Sequence, residues 1–167
     1  MAEPEAARPH MPGYGVLGPA EGTGLLAWDE VAARFAGSHD YWVASTWPDG
    51  RPHVMPVWGT WDGVAFWFSS GGRSRKVRNL RRDPRCVVTA DDALDPVVMD
   101  GVAEVVADMA AVESFLGVLN TKYATAYGLD FLDPAVNATL RVRPRSAFAL
   151  LQRDFAGSPT RWTFPDP

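Results

Sequence analysis

Three apolar stretches sit close together in this chain: Tyr41-Trp42-Val43-Ala44-Ser45-Thr46, then residues 52–61, then Val64-Ala65-Phe66-Trp67-Phe68-Ser69. The first and third are rich in aromatic and β-branched residues, the types that pack best on a pleated surface. Pro48-Asp49-Gly50 separates the first from the second, and Asp62-Gly63 the second from the third. Both punctuations carry tight-turn chemistry, so the pattern predicts three strands in an antiparallel meander. Within the second stretch His53, Met55, Val57, Gly59 and Trp61 share one face and Val54, Pro56, Trp58 and Thr60 the other. Apolar residues on both faces fit a central core strand. Pro56 cannot donate to a ladder, which fits an edge or a bulge, where backbone groups are left for a ligand.

Downstream, Ser74 can cap a helix of about two turns that turns Val77 and Leu80 inward and stops at Asp83-Pro84. Residues 86–90 and 97–107 read as two strands, the second bending at Gly101. Residues 108–127 read as a helix with Val112, Phe115, Leu116 and Leu119 on one face. Residues 137–143 and 146–151 read as a hairpin around Pro144. Upstream, a short helix is expected from Asp29, as N-cap, to Ala36, with Gly37 following. Residues 1–24, rich in Pro, Gly, Ala and Glu without periodicity, read as a flexible extension to a single domain spanning 25–167. Six or seven short strands with two or three helices predict a mainly β protein, a β-barrel rather than a parallel α/β sheet.

The 167 residues suit one domain with its own core. No apolar run reaches the roughly 20 residues that span a bilayer, so no membrane partner is expected. Met1-Ala2-Glu3-Pro4-Glu5 is acidic and does not resemble a secretory signal. The one cysteine, Cys86, lies beside Val87 and Val88 as a buried strand thiol would and suits a reducing cytoplasm. Net charge is −4, which speaks against a nucleic-acid partner. That average conceals seven basic residues against Asp83 between Arg73 and Arg85, a segment of +6 that leaves −10 for the rest. Concentrated positive charge in an acidic chain points to a small anionic ligand. Fourteen arginines stand against two lysines, which makes Lys76 conspicuous.

A helix start already carries partial positive charge and unpaired N–H groups. Placing Arg73, Arg75 and Lys76 there is unfavourable unless an anion sits among them. A phosphate would take the free amides, accept from Ser74 and neutralise the side chains, while Ser69-Ser70-Gly71-Gly72 offers close backbone approach and further hydroxyls. A solvated basic helix without a ligand is the competing reading.

The run Asp49-Gly50-Arg51-Pro52-His53-Val54-Met55-Pro56-Val57-Trp58, with Phe68-Ser69, Ser74-Arg75-Lys76-Val77-Arg78-Asn79-Leu80 and Asp83-Pro84-Arg85 in this order and spacing, resembles the pyridoxamine 5′-phosphate oxidase-like split β-barrel superfamily. It is similar in particular to the flavin/deazaflavin oxidoreductases. The resemblance covers roughly Trp28 to Phe164. It implies an antiparallel split barrel with an FMN or F420 cofactor whose ring lies along His53, Val54, Met55, Pro56, Val57 and Trp58. It also implies that Phe68 and Ser69 lie near the ribityl chain and phosphate, that Arg75 and Lys76 hold the phosphate, and that Ser74 and Asn79 belong to the same motif. A homodimer with cofactor sites at its interface is implied as well.

For the tail, the resemblance implies that Ser158 to Phe164 folds over the barrel with Trp162 beside the cofactor; plugging the barrel end or the dimer seam is the alternative. Tyr123 and Tyr127 either border a substrate pocket or pack on their helix. His53 has no orienting acid nearby in sequence, so a lining role is expected and no catalytic residue is assigned. No Cys/His cluster suggests a metal. Asp95-Pro96-Val97 departs from the vitamin B6 oxidases, as does the lack of their C-terminal substrate-binding pattern, which argues against pyridoxamine phosphate oxidase activity. The expected function is hydride transfer between a flavin-type cofactor and a small organic substrate. The basic surplus and the arginine preference favour F420 over FMN. Non-catalytic cofactor storage or sensing, and a cofactor-free binding barrel, are the alternatives.

Overall fold

The structure is a computed structural model that describes residues 3–165. Nine strands and three α-helices follow one another: β1 (Glu5–Ala7), α1 (Trp28–Gly37), β2 (Tyr41–Thr46), β3 (Pro52–Val57), β4 (Thr60–Trp61), β5 (Phe66–Gly71), α2 (Arg75–Arg82), β6 (Arg85–Ala90), β7 (Val97–Val105), α3 (Met109–Tyr123), β8 (Asn137–Ala149) and β9 (Thr160–Thr163). All pairings are antiparallel, in the order β1-β9-β8-β7-β6-β2-β3, with β5 added to β8 and β4 to β5. The ladder does not close between β3 and β5, so the architecture is a split β-barrel, as expected.

Strand β8 organises the barrel. One of its edges pairs with β7 along nearly its whole length, while the other is shared in tandem by β5, at residues 137–142, and β9, at residues 146–149. The register against β7 shifts at Asp100/Gly101, where Gly101 faces Pro144. A Cβ on Gly101 would lie 2.6 Å from the Arg143 carbonyl oxygen, so the strands approach too closely for a side chain. The bend anticipated at Gly101 is therefore present. The hairpin expected around Pro144 is not: residues 137–149 are one strand, and the bulge absorbs a proline that has no N–H to give the ladder.

The three-strand meander is also only half present. Strand β3 pairs with β2 but not with β5. The chain kinks at Trp58-Gly59, dividing the expected strand 52–61 into β3 and β4, and β5 crosses to β8. Gly59 permits this because a Cβ there would collide with the Phe66 ring and lie 2.7 Å from the Trp67 carbonyl oxygen. β3 is left at the sheet edge, where both of its prolines are tolerated. The strand count exceeds six or seven because of this division and because two short terminal strands join the sheet, β9 on β8 and β1 on β9.

The leading segment differs from the flexible extension expected of it. β1 pairs with β9, and the Arg8 guanidinium donates to the carbonyls of Pro159 at 2.8 Å, Gly157 at 2.9 Å and Gly18 at 2.8 Å. Three strand residues are too few to show periodicity, and the tie depends on one long-range arginine. Residues 1 and 2 of that segment lie outside the described residues.

The barrel interior holds Tyr41, Val43, Phe66, Phe68, Val88, Met99, Leu140 and Val142, sealed by Val31 and Phe35 of α1 and by Val77 and Leu80 of α2. α3 packs Val112, Phe115, Leu116 and Leu119 on Ala65, Trp67 and Leu132, the face expected for it. It ends at Tyr123 rather than 127, with Ala124 in the left-handed region at φ 52°. α1 starts one residue early, with Ala27 rather than Asp29 at the N-cap.

Candidate functional site

The start of α2 is built as the sequence suggests. Ser74 has extended backbone angles and its Oγ accepts from the Val77 N–H at 3.4 Å, closing the cap. Ser70, at the end of β5, brings its Oγ to 3.2 Å from that of Ser74, and Lys76 Nζ donates to Ser70 Oγ at 3.2 Å. Burial holds the Lys76 ammonium below the usual lysine range. No acidic residue occupies the first turn of α2, so the helix dipole and the side-chain charges add instead of cancelling.

The seven basic residues of this segment divide by what they touch. Arg81 donates to the Gly72 carbonyl at 3.1 Å and Arg82 to the Trp47 carbonyl at 3.0 Å. Arg85 pairs with Asp83 at 2.7 Å, and those bonds hold the Asp83 carboxyl down to about 2. Arg82 thus ties α2 to the β2–β3 hairpin, Arg81 ties it to the loop that precedes it, and Arg85 closes the turn after it. Among the described residues no carboxylate pairs with Arg73, Arg75, Lys76 or Arg78. The Arg75 guanidinium lies over the Trp47 ring at 3.8 Å, with its Nε shielded from solvent and without a hydrogen-bond partner.

The helix start and the second strand meet at His53. Burial lowers the pKa of its imidazole first, and the charges of Lys76 and Arg75 lower it further. Trp47 stands edge-on to it at 6.1 Å. Val54, Met55 and Pro56 are exposed along the edge strand, whereas Val57 is buried. Trp58, past the end of β3, stacks on Tyr123 at 4.4 Å with the planes 9° apart, and His39 stands edge-on to both.

Other expected residues lie elsewhere. Phe68 is in the barrel interior, and Ser69 Oγ is tied to the Ala138 carbonyl at 3.2 Å. Asn79 is buried, donating to Ser45 Oγ at 3.2 Å, so it joins α2 to β2 instead of reaching the surface. Trp162 is 1% exposed, pairs with Ala147 and Ala6 in the sheet, and lies 5.4 Å from Trp28. The Trp162 side chain therefore lies in the hydrophobic core at this end of the barrel.

Ser70 and Ser69 open onto a hollow of about 460 Å³ lined also by Gly71, Asp130, Phe131 and Asn137. A larger hollow of about 570 Å³ lies across the outer sheet face over Ala44, Pro52, Arg85, Val87, Asp100 and Val102. Among the described residues no cluster of His, Cys, Asp or Glu could hold a metal, and no helix is long and apolar enough to cross a membrane.

Two residues escaped the sequence reading. Trp47 sits in the turn region and gave no strand signal. Lys122, the second of only two lysines, donates to Tyr41 Oη at 2.7 Å and to the carbonyls of Ala36 and Gly59 at 3.0 Å each. Its rarity was the available signal, the same one that marked Lys76.

Comparison with known proteins agrees with this architecture. An F420 reductase is 25% identical with a TM-score of 0.56, over 68% of this chain and 93% of that one. A conserved hypothetical protein from Mycobacterium tuberculosis is 26% identical with a TM-score of 0.65, over 85% and 91%. The heme storage protein HutZ from Vibrio cholerae, at 17% identity, TM-score 0.60 and coverage of 72% and 92%, shares the fold. No curated protein matches. The sequence profile described as pyridoxamine 5′-phosphate oxidase matches residues 27–153, from the start of α1 past the end of β8. With sequence and architecture in agreement over that span, the chain belongs to the pyridoxamine 5′-phosphate oxidase family.

Proposed function

We propose that this protein is an oxidoreductase that binds F420 or FMN and passes a hydride to or from a small organic substrate. The observation that carries the reading is the set of unspent donors at the start of α2: Arg73 and Arg75 without carboxylate partners, beside the Ser70–Ser74–Lys76 cluster. A phosphate satisfies these groups and reverses an otherwise unfavourable concentration of charge. Ser70, Ser74, Arg75 and Lys76 would hold it, and the cofactor ring would extend from His53 along Val54, Met55 and Pro56.

Such cofactors supply the hydride chemistry themselves. The chain's own residues bind, orient and exclude water, which accounts for the lack of an acid–base pair around His53. F420 is preferred to FMN because Arg73 and Arg78 offer charge beyond what one phosphate needs, suited to a longer anionic tail; the likeness to an F420 reductase supports this. Asn79 would hold α2 against β2 from the core, while Val57 and Phe68 pack inside the barrel. The protein would act as a homodimer in the cytoplasm.

Titration of the purified protein with FMN, F420 and riboflavin tests the reading. One phosphorylated cofactor should bind with Kd under about 100 μM, or about 5.5 kcal/mol. Joint replacement Arg75→Ala/Lys76→Ala should abolish that binding while far-UV dichroism and any riboflavin binding persist. Binding of neither cofactor in that range, or an unaffected double variant, would sink the proposal.

A further inference from the structure

Arg75 is held by a residue that neither the helix nor the edge strand supplies. Its guanidinium lies 3.8 Å above the Trp47 ring, and its Nε is out of solvent with no hydrogen-bond acceptor. A guanidinium stacked on an indole gains cation–π attraction while its in-plane donors stay free to point at an anion. The Trp47 backbone is fixed on both sides. Its N–H donates to the Arg51 carbonyl at 2.8 Å, and its own carbonyl accepts from Gly50 N–H and from Arg82 Nη2, each at 3.0 Å. The platform is therefore anchored to the β2–β3 hairpin and to the end of α2 at once.

The same ring faces a second guanidinium, Arg51, at 4.5 Å. Arg51 is paired with Asp49, Nε to Oδ2 at 2.8 Å, whereas Arg75 makes no ion pair and feels the Asp49 carboxylate only at longer range. Burial, with Arg78 and Arg51 nearby, outweighs the opposing attraction of Asp49 and makes the Arg75 charge harder to keep than an ordinary arginine's. Stacking without pairing leaves Arg75 oriented but electrostatically unsatisfied. An arginine serving only to fasten hairpin to helix would spend its donors on carbonyls, as Arg82 does on the same residue.

We propose that Trp47 is a positioning residue for anion recognition: it fixes the plane of the Arg75 guanidinium so that its donors meet the cofactor phosphate without an ordering cost at binding. This deepens the functional reading above and rests on it. Preorganisation of this kind appears as affinity, because the rotamer freedom of a long side chain is already spent in the free protein.

The experiment has two arms. In the first, the Arg75 Nε–H resonance is observed in ¹⁵N-labelled protein without any cofactor. The stack predicts a ring-current upfield shift and slow solvent exchange, lost in Trp47→Leu and retained in Trp47→Phe. An unshifted, fast-exchanging Nε–H in the wild type overturns the proposal. In the second, Kd is measured for whichever of FMN and F420 the wild type binds. Trp47→Leu should weaken it about 5- to 10-fold, Trp47→Phe should restore it to within about 3-fold, and Trp47→Leu/Arg75→Ala should bind no more weakly than Arg75→Ala alone. Unchanged affinity in Trp47→Leu, or additive losses in the double variant, overturns it. Should the wild type bind neither cofactor, the oxidoreductase reading fails on its own. Inorganic pyrophosphate, followed on the same resonance, then decides for Trp47: weaker pyrophosphate binding in Trp47→Leu supports it, and unchanged or absent binding overturns it.

Discussion

Lys122 concentrates several effects in one side chain. Its three protons go to Tyr41 Oη and to the Ala36 and Gly59 carbonyls, and the ammonium also lies 4.5 Å from the Tyr41 ring. Ala36 belongs to the last turn of α1, where carbonyls lack helical partners and a cation is favoured. Burial nevertheless draws the ammonium down to about 8, against the attraction of Asp40 and Asp91. The folded pKa lies below the unfolded value of 10.5, so between pH 8 and 10 the unfolded chain retains a proton that the folded protein releases. Stability from this group therefore rises with pH across that window and is lost as pH falls through 8. Lys122→Met should cost about 2 kcal/mol at pH 7 by removing three charge-assisted bonds, although Tyr123 Oη still donates to the Gly59 carbonyl and Tyr41 Oη to the Ala36 carbonyl. Urea midpoints at pH 7.5 and 9.5 should show the wild type gaining on the variant; a constant difference contradicts the lowered pKa. Ser74, Val77 and Leu80 were legible in the sequence because capping and i, i+3 spacing are local. Lys122 and Trp47 were not, because their partners come from three separate elements brought together only by the fold.

At the level of elements, the arm formed by residues 3–24 is the clearest departure from the sequence reading. A tract without periodicity is docked by backbone pairing of β1 to β9 and by the fan of bonds from Arg8. Asp154 adds a clamp, accepting from the Thr23 and Gly157 N–H groups, and these bonds hold its carboxyl below the usual range. Composition alone sees only Pro, Gly and Ala here, because backbone-to-backbone docking leaves no trace in side-chain pattern. The same blindness explains β8, where proline was read as a turn although a bulge accommodates it. Arg8→Ala should release the arm at a cost of about 1–2 kcal/mol, the scale of charged hydrogen bonds in a half-exposed setting. Hydrogen exchange should then accelerate in residues 5–8 and at β9 while β6 and β7 keep their protection. Unaltered exchange at β9 would mean that the backbone pairing holds without the arginine.

At the level of the whole molecule, the outer face of β2, β3, β6 and β7 is poorly suited to water. Trp42 and Val54 are 44% and 49% exposed, and they flank Pro56 and the 570 Å³ hollow that carries both Arg85 and Asp100. Alternation along β2 explains the pattern: Tyr41, Val43 and Ser45 point into the barrel, which leaves Trp42 outside. An apolar patch of this kind usually marks an interface. One that holds both signs of charge can complement itself across a twofold axis, since the same patch then serves both subunits. A second copy of this chain is therefore the expected occupant, and the edge strand β3, with its exposed Val54, Met55 and Pro56, would come to lie beside that seam. Light scattering should give twice the 18.2 kDa chain mass for the wild type and the single mass for Trp42→Glu. If the cofactor site is completed across the seam, the monomeric variant should also lose at least about 10-fold in FMN or F420 affinity, or about 1.4 kcal/mol, although Trp42 belongs neither to the Ser70–Ser74–Lys76 cluster nor to the strand proposed to line the ring. A monomeric wild type excludes the shared site outright. A monomeric variant with undiminished affinity would place the whole cofactor site within one chain and leave the exposed face a separate role.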